Sequence, residues 1–343
     1  MLGGGDVVAA SPKTAFVTGG SGFIGGRLIR RLVSEGWSVR ALARSPAASE
    51  KVREAGAEAV EGDLERVADM RSGAEGCSHA FHAAAHLGEW GSRAEFERIN
   101  VGGTRNALDA CRDAGVNRFI HVGTEAALLA GRPLVNVNED EPLRPDSKAP
   151  YAATKAMAEQ AVRDANEGGF ETVVVRPRLV WGRGDTTVLP NLVRAIETGR
   201  FSWIGGGRHL TSTTHVDNTV HGLILGAERG KAGGVYFVTD GEPVVFRDFV
   251  TELVGTQGVA VPGRNMPAPL AKFAAGTCEA AWRTLPLRGV PPVTRIAVWL
   301  SSLETTIDIS RAENELGYEP VRAADEGMRE LRETADTVLT SAE

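Results

Sequence analysis

Short apolar runs alternate with longer amphipathic stretches from Thr14 to about Glu171. The short runs predict buried strands, and the longer stretches predict the helices that cross over between parallel strands. The predicted strands are TAFVT (14–18), SVRALA (38–43), HAFHAA (79–84), RFIHV (118–122) and TVVVR (172–176). This alternation predicts an α/β fold with a doubly wound parallel sheet of the Rossmann type.

Three helices are predicted from apolar spacing and helix-end residues. The first begins near Gly22 and places Leu28, Ile29 and Leu32 on one face. The second covers 101–115 and ends at a glycine, which suits a left-handed helix stop. The third is predicted from about 151 to 166.

The strand and helix pattern changes after Gly182, where glycines 205–207 and several prolines indicate loops. We therefore expect a dinucleotide-binding domain over 1–182 and a smaller substrate-binding lobe over 183–213 and 241–343. Residues 214–240 predict a strand end, a helix and a further strand that return to the first domain, so the two parts are expected to be interwoven.

The net charge and the cysteine content of the chain limit the ligands and partners that we expect it to bind. The chain of 343 residues has a formal net charge of -6, so nucleic acid is not an expected partner. Its 3 cysteines have no CxxC arrangement, which favours reduced thiols, and no metal site is expected. The first residues lack the pattern of a secretion signal, and we expect a cytoplasmic protein.

Residues 267–303 are apolar in parts, but charged residues interrupt them and no run reaches the roughly 20 residues of a membrane span. No transmembrane segment is therefore predicted. Two interpretations remain, an apolar lid over a hydrophobic substrate and a weak contact with a membrane surface, and the lid is favoured.

A glycine-rich loop directly follows the first predicted strand. The segment FVTGGSGFIGG places Gly19, Gly22 and Gly25 around the start of the first helix, with Phe23 and Ile24 between the last two. Glycines allow a tight turn, close approach of pyrophosphate to backbone, and close packing of helix on strand. The loop therefore predicts dinucleotide binding at a helix N-terminus.

The end of the second predicted strand bears on the choice of cofactor. NAD-binding proteins commonly place an acidic residue there, but the segment reads VRALARSP, with Arg44 in that place and Arg40 nearby. A guanidinium suits the 2′-phosphate of NADP, so NADP(H) is favoured over NAD(H). The alternative is that Arg44 is a solvated surface charge.

Tyr151 and Lys155 are spaced i, i+4 and project from one face of the third helix. A nearby ammonium, together with a cationic nicotinamide, favours the phenolate, so Lys155 is expected to lower the pKa of Tyr151 and to hold the cofactor ribose. Thr124 follows the RFIHV strand and supplies a hydroxyl to orient the substrate oxygen. The three residues are the predicted catalytic group.

Eight motifs resemble the extended, or atypical, short-chain dehydrogenase/reductase family of the NAD-dependent epimerase/dehydratase type. They are TGGSGFIG (18–25), GDL (62–64), HAAA (82–85), HVGT (121–124), YAATK (151–155), RPRLVWG (176–182), HVDN (215–218) and ELGYEP (315–320). The segments RPRLVWGRGD and PPVTRIAVWL are similar to the 3β-hydroxysteroid dehydrogenase-like branch. Where Gly123 and Thr124 stand, the family often has serine.

The resemblance implies further roles for residues of this chain. The residues implied beside the cofactor are Asp63, Leu64, Ala83, Ala84, Ala85, Pro177, Leu179 and Val180. Those suggested as substrate-facing, with ordinary packing as the alternative, are His86, Trp90, Glu125 and Trp181. The resemblance also implies a homodimer formed through helices near 101–114 and 151–166.

The sequence thus predicts an NAD(P)-dependent oxidoreductase that interconverts a secondary alcohol and a ketone on an apolar, steroid-like or otherwise hydrophobic substrate. One alternative is a nucleotide-sugar epimerase or dehydratase, which keeps its NAD bound and regenerates it. Another is a non-catalytic NADP-binding sensor. Retention of both Tyr151 and Lys155 argues against the sensor.

Overall fold

The computed structural model describes residues 13–285 and 287–340. The strands are β1 (Thr14–Thr18), β2 (Ser38–Ala43), β3 (Glu58–Glu61), β4 (His79–His82), β5 (Arg118–Val122), β6 (Leu134–Val137), β7 (Glu171–Pro177), β8 (Val180–Trp181), β9 (Trp203–Ile204), β10 (Leu210–Thr211), β11 (Thr214–His215), β12 (Val235–Val238), β13 (Val244–Val245), β14 (Asn265–Met266) and β15 (Thr305–Ile307). Seven of them form a parallel sheet in the order β12-β7-β5-β4-β1-β2-β3. The predicted α/β fold class is confirmed.

Helices cover both faces of this sheet. They are α1 (Phe23–Ser34), α2 (Pro46–Glu54), α3 (Val67–Ala74), α4 (Arg93–Phe96), α5 (Gly103–Asp113), α6 (Pro150–Asp164), α7 (Val188–Glu197), α8 (Val216–Arg229), α9 (Phe246–Gly255), α10 (Ala268–Thr284), α11 (Arg295–Ser302), α12 (Ser310–Leu316) and α13 (Ala324–Thr340). A π-helical turn over Glu97–Gly102 joins α4 to α5. Among the described helices, none is long and apolar enough to cross a lipid bilayer.

The strand order places a crevice between β1 and β4. The chain runs outward through β2 and β3 on one side of β1 and then returns to β4 on the other. At such a switch point the loops after two neighbouring strands diverge, and open α/β sheets bind ligands there. The glycine-rich loop after β1 and the alanines after β4 both lie at this edge.

Alternate residues of the central strands build two core layers. Ala15 and Val17 of β1 pack with Leu28 of α1 on one face, whereas Phe16 packs with Leu108 and Cys111 of α5 on the other. This is the alternation expected of a strand covered by helices on both sides. A third apolar cluster joins α7, α9 and α13 in the second part of the chain.

Candidate active site

The glycine-rich loop is closed too tightly for side chains at two positions. Gly19 has a φ of 74°, and a Cβ there would lie 2.6 Å from the backbone nitrogen of Ala84. At Gly25 a Cβ would lie 2.1 Å from the Gly19 carbonyl oxygen. Gly22 starts α1 with extended backbone, and its N–H donates to Gly19 at 3.0 Å. The loop therefore brings bare backbone to the crevice.

In the part of the chain that the structure describes, no side chain caps the start of α1. Its N-cap, Gly22, makes no side-chain cap hydrogen bond, and its first turn carries no acidic residue. The neighbouring α2 differs, because Ser45 caps it by accepting from Ala48 N at 3.2 Å. Exposed N–H groups at the positive end of a helix dipole fit the pyrophosphate of a dinucleotide.

Three of the residues that the family resemblance implies beside the cofactor follow strands β4 and β3. Ala83 N donates to Thr18 O at 3.1 Å, which fixes the wall after β4. Asp63 accepts from Glu65 N at 3.1 Å, and Leu64 packs over Gly103. Ala83 follows β4 whereas Asp63 and Leu64 follow β3, so all three lie beyond the carboxyl ends of strands of the same parallel sheet.

The segment after β7 contributes the remaining implied positions, Pro177, Leu179 and Val180. Pro177 ends the strand, and Val180 pairs with Thr214. Leu179 has a φ of 42°, which is unusual for a bulky residue and costs backbone energy. Strain of this kind is concentrated at ligand sites.

The two arginines near the end of β2 are in different environments. Arg40 donates to the carbonyl oxygens of Gly73 at 3.3 Å and Glu75 at 2.7 Å, so its guanidinium is already bound. Arg44 is exposed and follows β2 directly, beside Ser45. Within residues 13–285 and 287–340 it makes no hydrogen bond or ion pair, and it remains available to an anionic group.

The predicted catalytic residues meet at the ends of β5 and α6. Tyr151 lies in the first turn of α6, and Thr124 is in hydrogen-bond contact with its phenol. Lys155, one turn later, donates from Nζ to the carbonyl oxygen of Val122 at 2.9 Å. Thr124 donates to a Glu125 carboxylate oxygen at 2.8 Å, so its hydroxyl is fixed in direction.

The expectation that Lys155 lowers the pKa of Tyr151 is not met by the protein groups of the site. Burial raises the pKa of Tyr151 well above its usual value, the charge of Glu125 raises it further, and the hydrogen bond with Thr124 lowers it. Desolvation disfavours the charged form of a phenol, and here it outweighs the other influences. The phenol is therefore protonated at neutral pH, which suits a proton donor.

Two suggested substrate-facing residues are instead buried partners of other side chains. Glu125 is 3% exposed and binds Arg178 at 2.7 Å, because a carboxylate so deeply buried requires a counterion. Trp181 is fully buried and donates from Nε1 to Asp240 at 2.8 Å. Both side chains fit the alternative interpretation, ordinary packing, and contact with substrate stays a prediction for them.

His86 and Trp90 lie in the loop after β4 and are partly exposed. The His86 ring packs against Phe96 with centroids 4.5 Å apart. The Trp90 ring is covered by the guanidinium of Arg283 at 5.5 Å. For these two, contact with substrate stays a prediction.

A buried hydrogen-bond chain that the sequence did not predict joins the cofactor wall to the catalytic helix. His82 contacts Thr18 at 2.7 Å through Nδ1 and Thr104 at 3.0 Å through Nε2. Thr104 donates to Asn100 O at 2.6 Å, and Asn100 donates to Thr154 at 3.2 Å. Burial lowers the pKa of His82 to about 3, so the ring stays neutral and can both donate and accept.

One group of side chains outside the crevice has potential metal-ligand atoms. The ligand atoms of His215, Asp217 and Glu330 lie within 4.8 Å of one another. The Asp217 carboxylate, however, already binds Arg27 at 2.5 Å and Arg322 at 3.1 Å. The positive charge of two arginines disfavours a cation there.

Comparison with known proteins agrees with this geometry. The model of the 3-beta hydroxysteroid dehydrogenase/isomerase family matches residues 16–268. The 4-hydroxy-2-methyl-3-oxo-4-farnesyl-3,4-dihydroquinoline-1-oxide ketoreductase of Stigmatella aurantiaca is 48% identical over 93% of this chain and 95% of its own. The 2-alkyl-3-oxoalkanoate reductase of Stenotrophomonas maltophilia is 35% identical over 92% of this chain and 97% of its own.

Among solved structures, the dTDP-glucose 4,6-dehydratase DesIV of Streptomyces venezuelae with bound NAD superposes with a TM-score of 0.73. It covers 93% of this chain and 96% of the dehydratase, at 22% identity, a level that shows the shared fold alone. The reductase relatives confirm the predicted class of enzyme, an NAD(P)-dependent oxidoreductase. From the family match and the 48% identity, this chain belongs to the 3-beta hydroxysteroid dehydrogenase/isomerase family.

Proposed function

We propose that this enzyme uses NADPH to reduce the ketone of a hydrophobic molecule carrying a long isoprenoid or alkyl chain. The observation that carries the proposal is the buried Tyr151 phenol, protonated and held by Thr124 at the edge of the dinucleotide crevice. The ketoreductase relative is named for a farnesylated substrate and the second relative for an alkylated one, which supports both the reaction and the substrate class.

Each residue of the group has one task in this reaction. Tyr151 donates its phenolic proton to the substrate oxygen, and Thr124 keeps the phenol pointed toward that oxygen. Lys155, anchored on the Val122 carbonyl at 2.9 Å, would hold the cofactor ribose through its ammonium group. When bound, the cofactor supplies the hydride to the carbonyl carbon.

An assay of NADPH consumption tests the proposal. A farnesylated 3-oxo-dihydroquinoline N-oxide and a 2-alkyl-3-oxoalkanoate are the substrates, and we expect one alcohol formed for each NADPH oxidised. Turnover of a nucleotide sugar without net NADPH consumption would instead identify an epimerase or dehydratase.

Sedimentation velocity tests the accompanying proposal that the enzyme is a homodimer.

The charge of Lys155 predicts a pH dependence. Burial lowers the pKa of Lys155 to about 8, although the Glu159 carboxylate raises it in part. The lysine is charged below this pH and loses its proton above it, while Tyr151 remains protonated because its pKa is raised. We expect kcat/KM for ketone reduction to be constant below pH 8 and to fall above it. A profile that stays constant far above pH 8 contradicts this role.

Arg44 is proposed to select NADPH through the 2′-phosphate. We expect Arg44→Ala to raise KM for NADPH about tenfold or more and to leave KM for NADH nearly unchanged, since a charge-assisted hydrogen bond to an anion contributes about 1.5–3 kcal/mol. Arg40→Ala is the matched control, because that guanidinium is bound to backbone carbonyls. Equal use of both cofactors by the parent enzyme would refute the selection.

A further inference from the structure

A buried ion pair lies directly beside the predicted catalytic group. Glu125 follows Thr124 in the chain and is 3% exposed, and its partner Arg178 is 1% exposed. One Glu125 carboxylate oxygen accepts from Arg178 Nη1 at 2.7 Å, and the other accepts from the Thr124 hydroxyl at 2.8 Å. The carboxylate therefore joins an arginine to the hydroxyl that contacts Tyr151.

Stability alone does not account for this pair. Removing two charges from water is unfavourable, and apolar side chains of similar volume often stabilise a core as well as a buried ion pair does. The same turn is otherwise packed by the buried apolar residues Ala126, Ala127 and Leu128. The contacts that the pair makes therefore indicate its function.

The Thr124 side chain is held from two directions. Its hydroxyl donates to Glu125, and its oxygen accepts from Ala126 N at 3.2 Å, which caps the short helical turn Glu125–Leu128. A threonine without such partners can change rotamer, whereas these two bonds select one rotamer. Glu125 thus helps to set where the hydroxyl meets the Tyr151 phenol.

Arg178 fixes Glu125 in turn, because its guanidinium is anchored on a second sheet. This sheet has four strands in the order β13-β10-β15-β6. Arg178 Nη2 donates to the Thr211 hydroxyl of β10 at 2.8 Å, and Nε donates to the Thr305 carbonyl oxygen of β15 at 3.4 Å. A planar guanidinium bound to three acceptors has little freedom to move. The pair therefore connects the second sheet to the catalytic group.

We propose that Glu125 and Arg178 are positioning residues for ketone reduction, which act through the Thr124 hydroxyl to hold the Tyr151 phenol where it gives up its proton. This role requires no contact between either residue and the substrate. The inference rests on the proposed function, since it concerns the same proton donor. A small displacement of a reacting group lowers the rate steeply, so we expect the pair to affect kcat rather than binding.

Replacing the pair by apolar side chains tests this role. Glu125→Leu/Arg178→Met leaves no unpaired charge in the interior, and thermal unfolding verifies that the variant is folded. We expect kcat for reduction of a 2-alkyl-3-oxoalkanoate to fall about tenfold to a hundredfold, while KM for the ketone and Kd for NADPH stay within about twofold. If this variant is unfolded, Glu125→Asp replaces it, because the shorter carboxylate cannot reach Thr124 and Arg178 together.

The Thr124→Val background separates positioning from a structural role. Valine keeps the branched shape but has no hydroxyl, so the pair substitution should lower kcat no further in this background. A pair that only stabilised the fold would lower kcat by the same factor in both backgrounds. The matched control is Glu279→Leu/Arg295→Met, which replaces another pair with a buried glutamate, 2.5 Å long, between α10 and α11. This control should keep the parent kcat.

Three results would overturn the positioning role: a folded pair variant with the parent kcat, a loss of kcat that multiplies with that of Thr124→Val, and a loss of NADPH affinity as large as the loss of kcat. The last result would mean that the pair supports the cofactor-side segment 177–180 instead. A parent enzyme that reduces no ketone would refute the proposed function and this inference with it. An active parent with an unaffected pair variant would refute the positioning role alone.

Discussion

Tyr151→Phe is expected to lower kcat for ketone reduction by about 10²- to 10⁴-fold, the usual contribution of a positioned general acid. The phenylalanine ring keeps the packing of Tyr151 against the large core cluster but has no proton to give. The dissociation constant for NADPH should stay within about twofold, because we propose that the glycine loop and Lys155 make the dinucleotide contacts. Steady-state kinetics and fluorescence titration measure the two quantities.

The chain offers a matched control for this substitution among its 3 tyrosines. Tyr236 lies in β12, an edge strand of the seven-stranded sheet. Tyr236→Phe removes a hydroxyl that donates to Glu315 at 2.9 Å. This variant should retain full turnover. If Tyr151→Phe kept the parent kcat, or lost NADPH binding together with activity, the phenol would have another role.

Gly25→Ala is expected to weaken dinucleotide binding by about tenfold to a hundredfold, as overpacking costs about 1–3 kcal/mol. A Cβ at Gly25 would lie 2.1 Å from the Gly19 carbonyl oxygen, so the loop must open and move its backbone away from the pyrophosphate. Calorimetric titration with NADPH measures the affinity, and far-ultraviolet circular dichroism verifies that the variant is folded.

Gly26 is the matched control, because it is also a glycine and lies next to Gly25 in α1. A Cβ at Gly26 would lie 3.4 Å from Gly20 O, which is an ordinary contact. Gly26→Ala should bind NADPH as the parent does and be slightly more stable, since alanine favours helix. Equal losses in both variants would mean that close packing at Gly25 is not what shapes the site.

Features with a local cause were predictable from the sequence. The glycine-rich loop is one such feature, because the tight turn, the start of α1 and the close backbone packing all involve residues between Gly19 and Gly25. The placement of Tyr151 and Lys155 one helical turn apart is a second such feature, because it follows from their i, i+4 spacing within one helix. The strand β3, EAVE, was not predicted, since this edge strand has two glutamates and only two apolar residues.

Features that depend on tertiary partners could not be predicted. Glu125 and Arg178 are far apart in sequence and form their buried ion pair only after β5 and β7 lie side by side. The same is true of Trp181, whose partner Asp240 follows β12. The direction of the pKa shift of Tyr151 depends on how deeply α6 is buried, which apolar spacing does not reveal.

Deuterium transfer tests the central claim most directly. Parent enzyme is incubated with the farnesylated ketone and NADPH deuterated at the reactive face of nicotinamide C4, and the alcohol is analysed by mass spectrometry. We predict one deuterium on the new carbinol carbon and an equal amount of NADP⁺. Unlabelled product, or a substrate that changes while NADPH remains unoxidised, would contradict hydride delivery to a ketone beside Tyr151.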